Sequence, residues 1–155
     1  GKDLVVNPAQ AEKVIQRYFL ELESKQYQEK IKEERAFLDE NAQQEDIQVL
    51  PSGLQYKVVR QGTGPKPRIT DKVTVHYHMT LRGNGIIEST VDQGEPKSFR
   101  VNEPIKGITE ALLNMPVGAK WQLFIPYDLA FGKTGNEKAP PYSTVVCVLE
   151  LQSID

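Results

Sequence analysis

The side chains best suited to metal binding or nucleophilic chemistry are His76, His78 and Cys147. The two histidines form a His-x-His pair in an alternating strand, where both point to the outer face with no cysteine or carboxylate beside them. A zinc site needs more ligands than this pair, so we interpret them as surface histidines. Cys147 lies in an apolar run, which favours a buried, unreactive thiol over a nucleophile.

The glycines of the sequence do not form a phosphate-binding loop. Glycines 83, 85, 132 and 135 fall in predicted turns, and none stands between a strand and a helix, where such a loop is placed. The segment 111–151 instead offers strands, prolines and aromatic residues, without a nucleophile beside a base. We therefore predict a site that acts through its shape and through exclusion of water, with no metal and no cofactor.

The bulk composition limits the expected architecture and partners. A chain of 155 residues suits one ordinary domain and an appendage. A net charge of −2 gives no electrostatic reason to bind nucleic acid or an anionic membrane. The apolar runs are far shorter than the roughly 20 residues of a membrane span, so we expect no membrane insertion. A single cysteine excludes an internal disulfide.

The first 49 residues have the composition of a long helix. Asn7 is a suitable N-cap and Pro8 suits the first helical position, and neither glycine nor proline follows until after residue 44. An apolar stripe at helical spacing contains Ala11, Val14, Ile15, Tyr18, Phe19 and Leu22, and it resumes at Tyr27, Ile31, Phe37 and Leu38. Residues 23–36 are mostly charged or amide-bearing, so we expect this stretch to be solvated on most faces.

A thin apolar stripe cannot bury a helix by itself, and three interpretations stay open. The helix packs on its own domain as a stalk, or its segment 14–22 packs on another chain or on preceding helices. The third interpretation is a spacer that holds the domain away from a membrane or a partner. The chain starts with Gly1 rather than methionine, so we expect a processing point or a preceding segment.

From residue 50 onward, glycines and prolines separate short strand-like runs. Residues 73–81 alternate and place positions 73, 75, 77, 79 and 81 on one face. Further strands are predicted over 54–60, 98–101, 120–126 and 144–154, with a hairpin turn at 82–85. Apolar spacing at 105, 108, 111, 112 and 115 predicts one short helix. We predict an α+β domain over 50–155, with a five- to six-stranded antiparallel sheet curved around that helix, preceded by the helical segment 1–49.

Five short motifs occur in order along this domain: VHY at 75–77, GIIEST at 85–90, MPVG at 115–118, AFG at 130–132 and PPYST at 140–144. Their order and spacing resemble those of FKBP-type peptidyl-prolyl cis-trans isomerases. The upstream segments FLDENA at 37–42 and LPSGLQY at 50–56 resemble the bacterial two-part members, in which a helical N-terminal region often mediates dimerisation. The resemblance thus covers roughly residues 50–155 and extends upstream.

The resemblance implies an apolar pocket and assigns its residues. The implied catalytic set is Tyr77, Glu88, Phe99, Ile105, Ile108 and Phe131, and the implied substrate-binding residues are Ile87, Tyr142 and Cys147. We expect Tyr77 and Glu88 to form a hydrogen-bonded pair between neighbouring strands, because a buried hydroxyl and a buried carboxylate each need a partner.

Five positions depart from the family pattern. Ile108 stands where the family usually has the tryptophan of the pocket floor, and Phe131 replaces a tyrosine that donates a hydrogen bond. Ile87 and Cys147 replace two phenylalanines of the pocket wall, and Glu88 replaces an aspartate. These changes remove aromatic area and one hydroxyl donor, so we expect a wider pocket that holds its ligand less tightly.

The resemblance implies an enzyme that rotates X-Pro bonds in proline-containing polypeptides and so assists folding. Amide resonance creates the barrier, so a pocket that favours the twisted amide needs neither proton transfer to the protein nor a covalent step. The alternative is a weakly active or inactive domain that serves as a chaperone or binding module. Among partners we expect proline-containing polypeptides and consider a homodimer through the N-terminal helical region. For location we favour the periplasm or cell envelope over the cytoplasm.

Overall fold

The computed structural model describes residues 25, 27–82 and 85–155. The elements follow in the order α1 (27–42), β1 (Ile47–Val49), β2 (Gln55–Arg60), β3 (Lys72–Leu81), β4 (Ile86–Ser89), α2 (Thr90–Gln93), β5 (Lys97–Arg100), α3 (Lys106–Asn114), β6 (Lys120–Ile125), a 3-10 turn (Tyr127–Leu129) and β7 (Val145–Ile154). The predicted α+β class, with a helix ahead of an antiparallel sheet, is confirmed. Strand β1 was not predicted, because three residues are too few to show an alternation.

The strands form one antiparallel sheet in the order β1-β2-β6-β7-β3-β4. Strand β3 pairs along almost its whole length with β7 on one side. On its other side, β3 pairs with β5 through residues 72–75 and with β4 through residues 78–80. Because β4 and β5 share one side of β3, the chain that joins them must leave the sheet between these two pairings. That interruption is where the candidate site forms.

Helix α3 packs closely on the sheet through its buried residues Ile108, Ala111 and Leu112. Gly107 allows this approach, since a Cβ at that position would lie 2.5 Å from Cγ2 of the fully buried Ile125. A contact that short would force α3 away from β6. The missing side chain of Gly107 therefore sets how deeply the start of α3 sits above the sheet.

Helix α1 packs on the same domain, which supports the stalk interpretation for the described part of the helix. The Glu34 side chain is buried and pairs with Arg82, with Arg82 Nε 3.1 Å from Glu34 Oε2. The Phe37 ring lies 6.2 Å from the Phe124 ring. The expectation that residues 23–36 are solvated on most faces is therefore wrong at Glu34. The cause is a partner 48 positions away in sequence.

Several predicted features lie outside the described residues. They are the N-cap at Asn7 with Pro8, the apolar stripe over 11–22 and the tip of the hairpin at 83–84. In the part of the chain that the structure describes, no helix is both long enough and apolar enough to cross a membrane.

Candidate functional site

A cavity of about 400 Å³ opens between the interrupted side of β3 and the start of α3. It is lined by Tyr77, Met79, Glu88, Lys97, Ser98, Phe99, Glu103, Pro104, Ile105, Ile108 and Phe131. All six residues of the implied catalytic set are among them. The structure thus brings together residues that are up to 54 positions apart in the sequence, from four different elements and two loops.

The sheet supplies the wall of the cavity that carries its polar groups. Tyr77 and Met79 lie two positions apart in β3, so both point to the same face. Phe99 comes from β5, where it pairs with Val73, and Glu88 comes from β4, where it pairs with Met79. The alternation of β3 therefore places the Tyr77 hydroxyl and the Met79 thioether side by side over the cavity.

The start of α3 and the turn after β6 supply the apolar remainder. Ile105 is the N-cap of α3, and its carbonyl accepts hydrogen bonds from the N–H groups of Ile108 (3.0 Å) and Thr109 (3.1 Å). The backbone N–H of Ile105 itself donates to no acceptor among the described residues. Phe131 follows the 3-10 turn and also lines the cavity. This half of the site thus offers apolar surface and the free N–H of Ile105.

Thr90 fills the gap in the β3 ladder from which Tyr77 projects. Neither β4 nor β5 pairs with residues 76 and 77 on this side. Thr90 Oγ1 accepts a hydrogen bond from the Tyr77 N–H (2.7 Å) and lies 2.7 Å from His76 Nδ1. His78 Nδ1 lies 2.7 Å from Ser89 Oγ. The two histidines are half-buried and brace the Ser89-Thr90 corner, so the interpretation as plain surface histidines is corrected here.

The Tyr77 hydroxyl and the Glu88 carboxylate interact at the cavity, and each shifts the pKa of the other. Burial and the hydrogen bond to Glu88 both raise the pKa of the Tyr77 hydroxyl, so it stays protonated as a donor. Partial burial opposes ionisation of Glu88, but hydrogen bonds from Tyr77 and Lys97 and the charge of Lys97 outweigh it and lower its pKa. Lys97 Nζ lies 3.0 Å from Glu88 Oε1. The site therefore holds the neutral Tyr77 hydroxyl beside the ionised Glu88 carboxylate.

Three residues implied as substrate-binding do not line the cavity. Ile87 and Cys147 are buried in the core, and Cys147 pairs with Met79 across the sheet. Burial raises the pKa of the Cys147 thiol, which agrees with an unreactive cysteine. The ring of Tyr142 instead contacts the rings of Tyr27 and Tyr127.

Five lining residues were missed by sequence reasoning, namely Met79, Lys97, Ser98, Glu103 and Pro104. For Met79 a signal existed, because its alternation with Tyr77 placed both on one face of the strand. The other four flank Phe99 and Ile105 in sequence, and no pattern distinguishes their side chains from exposed loop residues. Within the described residues, no group of three histidine, cysteine or carboxylate side chains could hold a metal ion.

Comparisons with known proteins match both parts of the chain. The family model described as "FKBP-type peptidyl-prolyl cis-trans isomerase" matches residues 64–152. The model described as "Domain amino terminal to FKBP-type peptidyl-prolyl isomerase" matches residues 1–58.

Two relatives illustrate the similarity in sequence. The FKBP-type 22 kDa peptidyl-prolyl cis-trans isomerase of Escherichia coli (strain K12) is 46% identical over 119 residues, which cover 76% of this chain and 58% of that protein. The FKBP-type peptidyl-prolyl cis-trans isomerase FkpA of Aeromonas hydrophila is 37% identical over 162 residues, which cover 100% of this chain and 60% of that protein. The chain thus spans about three fifths of the length of these relatives.

Solved structures match the fold. A peptidyl-prolyl cis-trans isomerase from Pseudomonas syringae pv. tomato superposes with a TM-score of 0.76 at 34% identity and covers 81% of this chain and 92% of that chain. FkpA from Escherichia coli also has a TM-score of 0.76, at 31% identity, and covers 97% of this chain and 74% of that chain.

Proposed function

The chain belongs to the family of FKBP-type peptidyl-prolyl cis-trans isomerases, and we propose that its cavity catalyses the rotation of X-Pro bonds in proline-containing polypeptides. The observation that carries this proposal is the cavity lined by Tyr77, Phe99, Ile105, Ile108 and Phe131, which combines apolar side chains with the Tyr77 hydroxyl on one wall. Its volume of about 400 Å³ is ample for a proline ring and the amide before it.

The proposed mechanism is preferential binding of the twisted amide. The rotation barrier of about 18–20 kcal/mol arises from amide resonance, which separates charge between nitrogen and oxygen. Apolar walls from Phe99, Ile108 and Phe131 disfavour that separated charge and so favour the twisted state. The Ile105 N–H is placed to donate to a carbonyl group of the bound peptide, while the Tyr77 hydroxyl donates to Glu88 and adds a fixed polar edge to the cavity. Binding the twisted state better than the planar states lowers the barrier without a covalent step.

A direct assay tests this proposal. NMR exchange spectroscopy on a tetrapeptide with one X-Pro bond should show faster cis-trans exchange at micromolar concentrations of the protein. A protease-coupled assay with the same peptide should show the same acceleration of cis-trans exchange. Exchange that stays at the uncatalysed rate would refute the proposal. None of the comparisons favours the alternative of a chaperone or binding module without catalysis.

The state of Glu88 predicts how activity depends on pH. Its pKa is lowered below the ordinary value of 4.5, so its contribution to stability and to orienting Tyr77 is present above the unfolded pKa and is lost as pH falls through the folded pKa. We expect kcat/KM to stay level from about pH 8 to pH 5 and to fall only below this range.

The control for this profile is Glu88→Gln, which keeps the shape of the side chain but cannot ionise. We expect it to lower kcat/KM about 2- to 10-fold, the worth of one hydrogen bond, and to remove the decline at low pH. A wild-type profile that already falls between pH 7 and pH 6 would contradict the assignment.

We also propose that residues 1–49 and 50–155 form two parts, and that the first part mediates a homodimer. The support is the apolar stripe over residues 11–22 of the sequence, because apolar residues at helical spacing are typical of a helix face that packs on a partner. Sedimentation equilibrium should give twice the chain mass of 17.5 kDa. Val14→Glu should shift the mass towards the monomer, whereas Gln16→Glu, off the stripe, should not. A monomer mass at every concentration would contradict the dimer.

A further inference from the structure

Tyr142 has a backbone conformation that residues with a side chain seldom adopt. Its φ is 61°, and it is the one non-glycine residue with positive φ among those that the structure describes. Such a conformation persists only where the surrounding contacts impose it, because at positive φ the Cβ atom crowds the backbone. The contacts of Tyr142 must therefore hold it in place.

The ring of Tyr142 lies between two other tyrosine rings. The Tyr127 ring, from the 3-10 turn, meets it edge-on with the centroids 4.9 Å apart. The Tyr27 ring, from helix α1, meets it at a tilt of 46° with the centroids 5.1 Å apart. Both arrangements are attractive for aromatic pairs. Helix α1 thus supplies one of the two rings that clamp Tyr142.

The same face of α1 makes a second contact with the next residue of this loop. Lys30 Nζ donates a hydrogen bond to Ser143 Oγ (3.0 Å), and Ser143 Oγ donates one to the Pro140 carbonyl (2.7 Å). Tyr27 and Lys30 lie three positions apart and so share one face of the helix. Two consecutive loop residues are therefore held from α1.

Hydrogen bonds link this loop to a wall of the cavity. The Tyr142 N–H donates to the Gly132 carbonyl (3.1 Å), and the Gly135 N–H donates to the Phe131 carbonyl (3.1 Å). The Gly132 N–H donates to the Tyr127 carbonyl (2.8 Å). Phe131 lines the cavity. A continuous set of contacts therefore runs from the ring of Tyr27 to the segment that carries Phe131.

We propose that Tyr27 is a positioning residue for the pocket, which steadies the Phe131 wall by clamping Tyr142 against Tyr127. Its effect on rate rests on the proposed isomerase function. A wall that is already in place loses less conformational freedom when the peptide binds, so binding is tighter. Without the Tyr27 ring, Tyr142 keeps one ring neighbour instead of two, and Phe131 is held less firmly over the proline.

The kinetic test compares three substitutions in the full chain. Tyr27→Ala should lower kcat/KM for an X-Pro tetrapeptide about 3- to 10-fold, mainly by raising KM. Tyr27→Phe should keep kcat/KM at the wild-type value, because the Tyr27 hydroxyl forms no hydrogen bond within the described residues. Phe37→Ala is the matched control, since it removes an aromatic contact of the same helix with Phe124 and leaves both ring contacts of Tyr142 in place. Equal kinetic effects of Tyr27→Ala and Phe37→Ala would overturn the proposal.

NMR resonances give a test that does not depend on isomerase activity. In Tyr27→Ala, the ring signals of Phe131 and the amide signal of Gly132 should shift, while Phe37→Ala should leave them in place. If Tyr27→Ala does not fold, Lys30→Met, which removes the hydrogen bond to Ser143, should shift the same signals and lower kcat/KM about 2-fold. Unchanged Phe131 and Gly132 signals would overturn the coupling. A wild-type chain without activity but with these shifts would refute the isomerase proposal alone.

Discussion

Replacing Phe99 by alanine should lower kcat/KM for an X-Pro peptide about 10- to 100-fold. The Phe99 side chain lines the cavity from β5 and is only half-buried, so its loss removes ligand contact more than core packing. Burying an apolar side chain of this size against a ligand contributes about 1.5–3 kcal/mol. Since each 1.4 kcal/mol corresponds to a factor of about ten, the expected loss follows directly.

Two surface residues provide the matched control for Phe99. Ile86 and Val91 are 56% and 54% exposed, and neither lines the cavity. Their alanine variants should retain kcat/KM within about 2-fold, which is within the usual effect of an exposed substitution. Circular dichroism should show the wild-type spectrum for all three variants. A Phe99→Ala protein with activity close to that of Ile86→Ala would mean that catalysis occurs elsewhere.

Replacing Arg82 by alanine should lower the free energy of unfolding by about 2–4 kcal/mol. The Glu34 side chain is 9% exposed, whereas that of Arg82 is 36% exposed. Losing Arg82 leaves a buried carboxylate without its partner, and it also removes the guanidinium above the Phe37 ring at 5.4 Å. Losing Glu34 leaves a cation that reaches water, so Glu34→Ala should cost less, about 1 kcal/mol.

Urea unfolding followed by the fluorescence of Trp121 measures these differences. Trp121 suits this purpose because it is the single tryptophan, is buried in β6 and stacks on Tyr56 with the ring centroids 4.1 Å apart. The control is Lys57→Ala, which breaks an exposed ion pair with Asp46 at 3.9 Å and should cost less than about 1 kcal/mol. The cost of Arg82→Ala should shrink in the Glu34→Ala background. A cost no larger than that of Lys57→Ala would contradict the buried pair.

Much of the fold could be predicted from local patterns. The alternation over 73–81 placed Val73, Val75 and Tyr77 on one face, and these residues are buried in β3. The apolar spacing over 105–115 matches α3. Such periodicities are reliable because each reflects a repeat of the backbone itself, near 3.6 residues in a helix and two in a strand.

Local sequence patterns predicted less of the candidate site than of the fold. Six cavity residues came from the family resemblance, but Met79, Lys97 and Glu103 did not, because alternation gives the face of a strand and not the point along it where a cavity opens. Likewise Glu34 stands in a charged stretch, and its pairing with Arg82, from the turn after β3, accompanies its burial. The position of Tyr142 depends on the nearby ring of Tyr127 and on the ring of Tyr27, which is more than a hundred positions away in sequence.

The sequence by itself determined the α+β class, the strand faces and the short helix. These features follow from backbone periodicity and from residue type, which each segment carries locally. Only the tertiary structure decided where the β3 ladder is interrupted, how Thr90 fills that gap, and which loop helix α1 clamps through Tyr27. These features depend on contacts between distant segments, whose geometry is set when the whole domain packs and not by any segment alone.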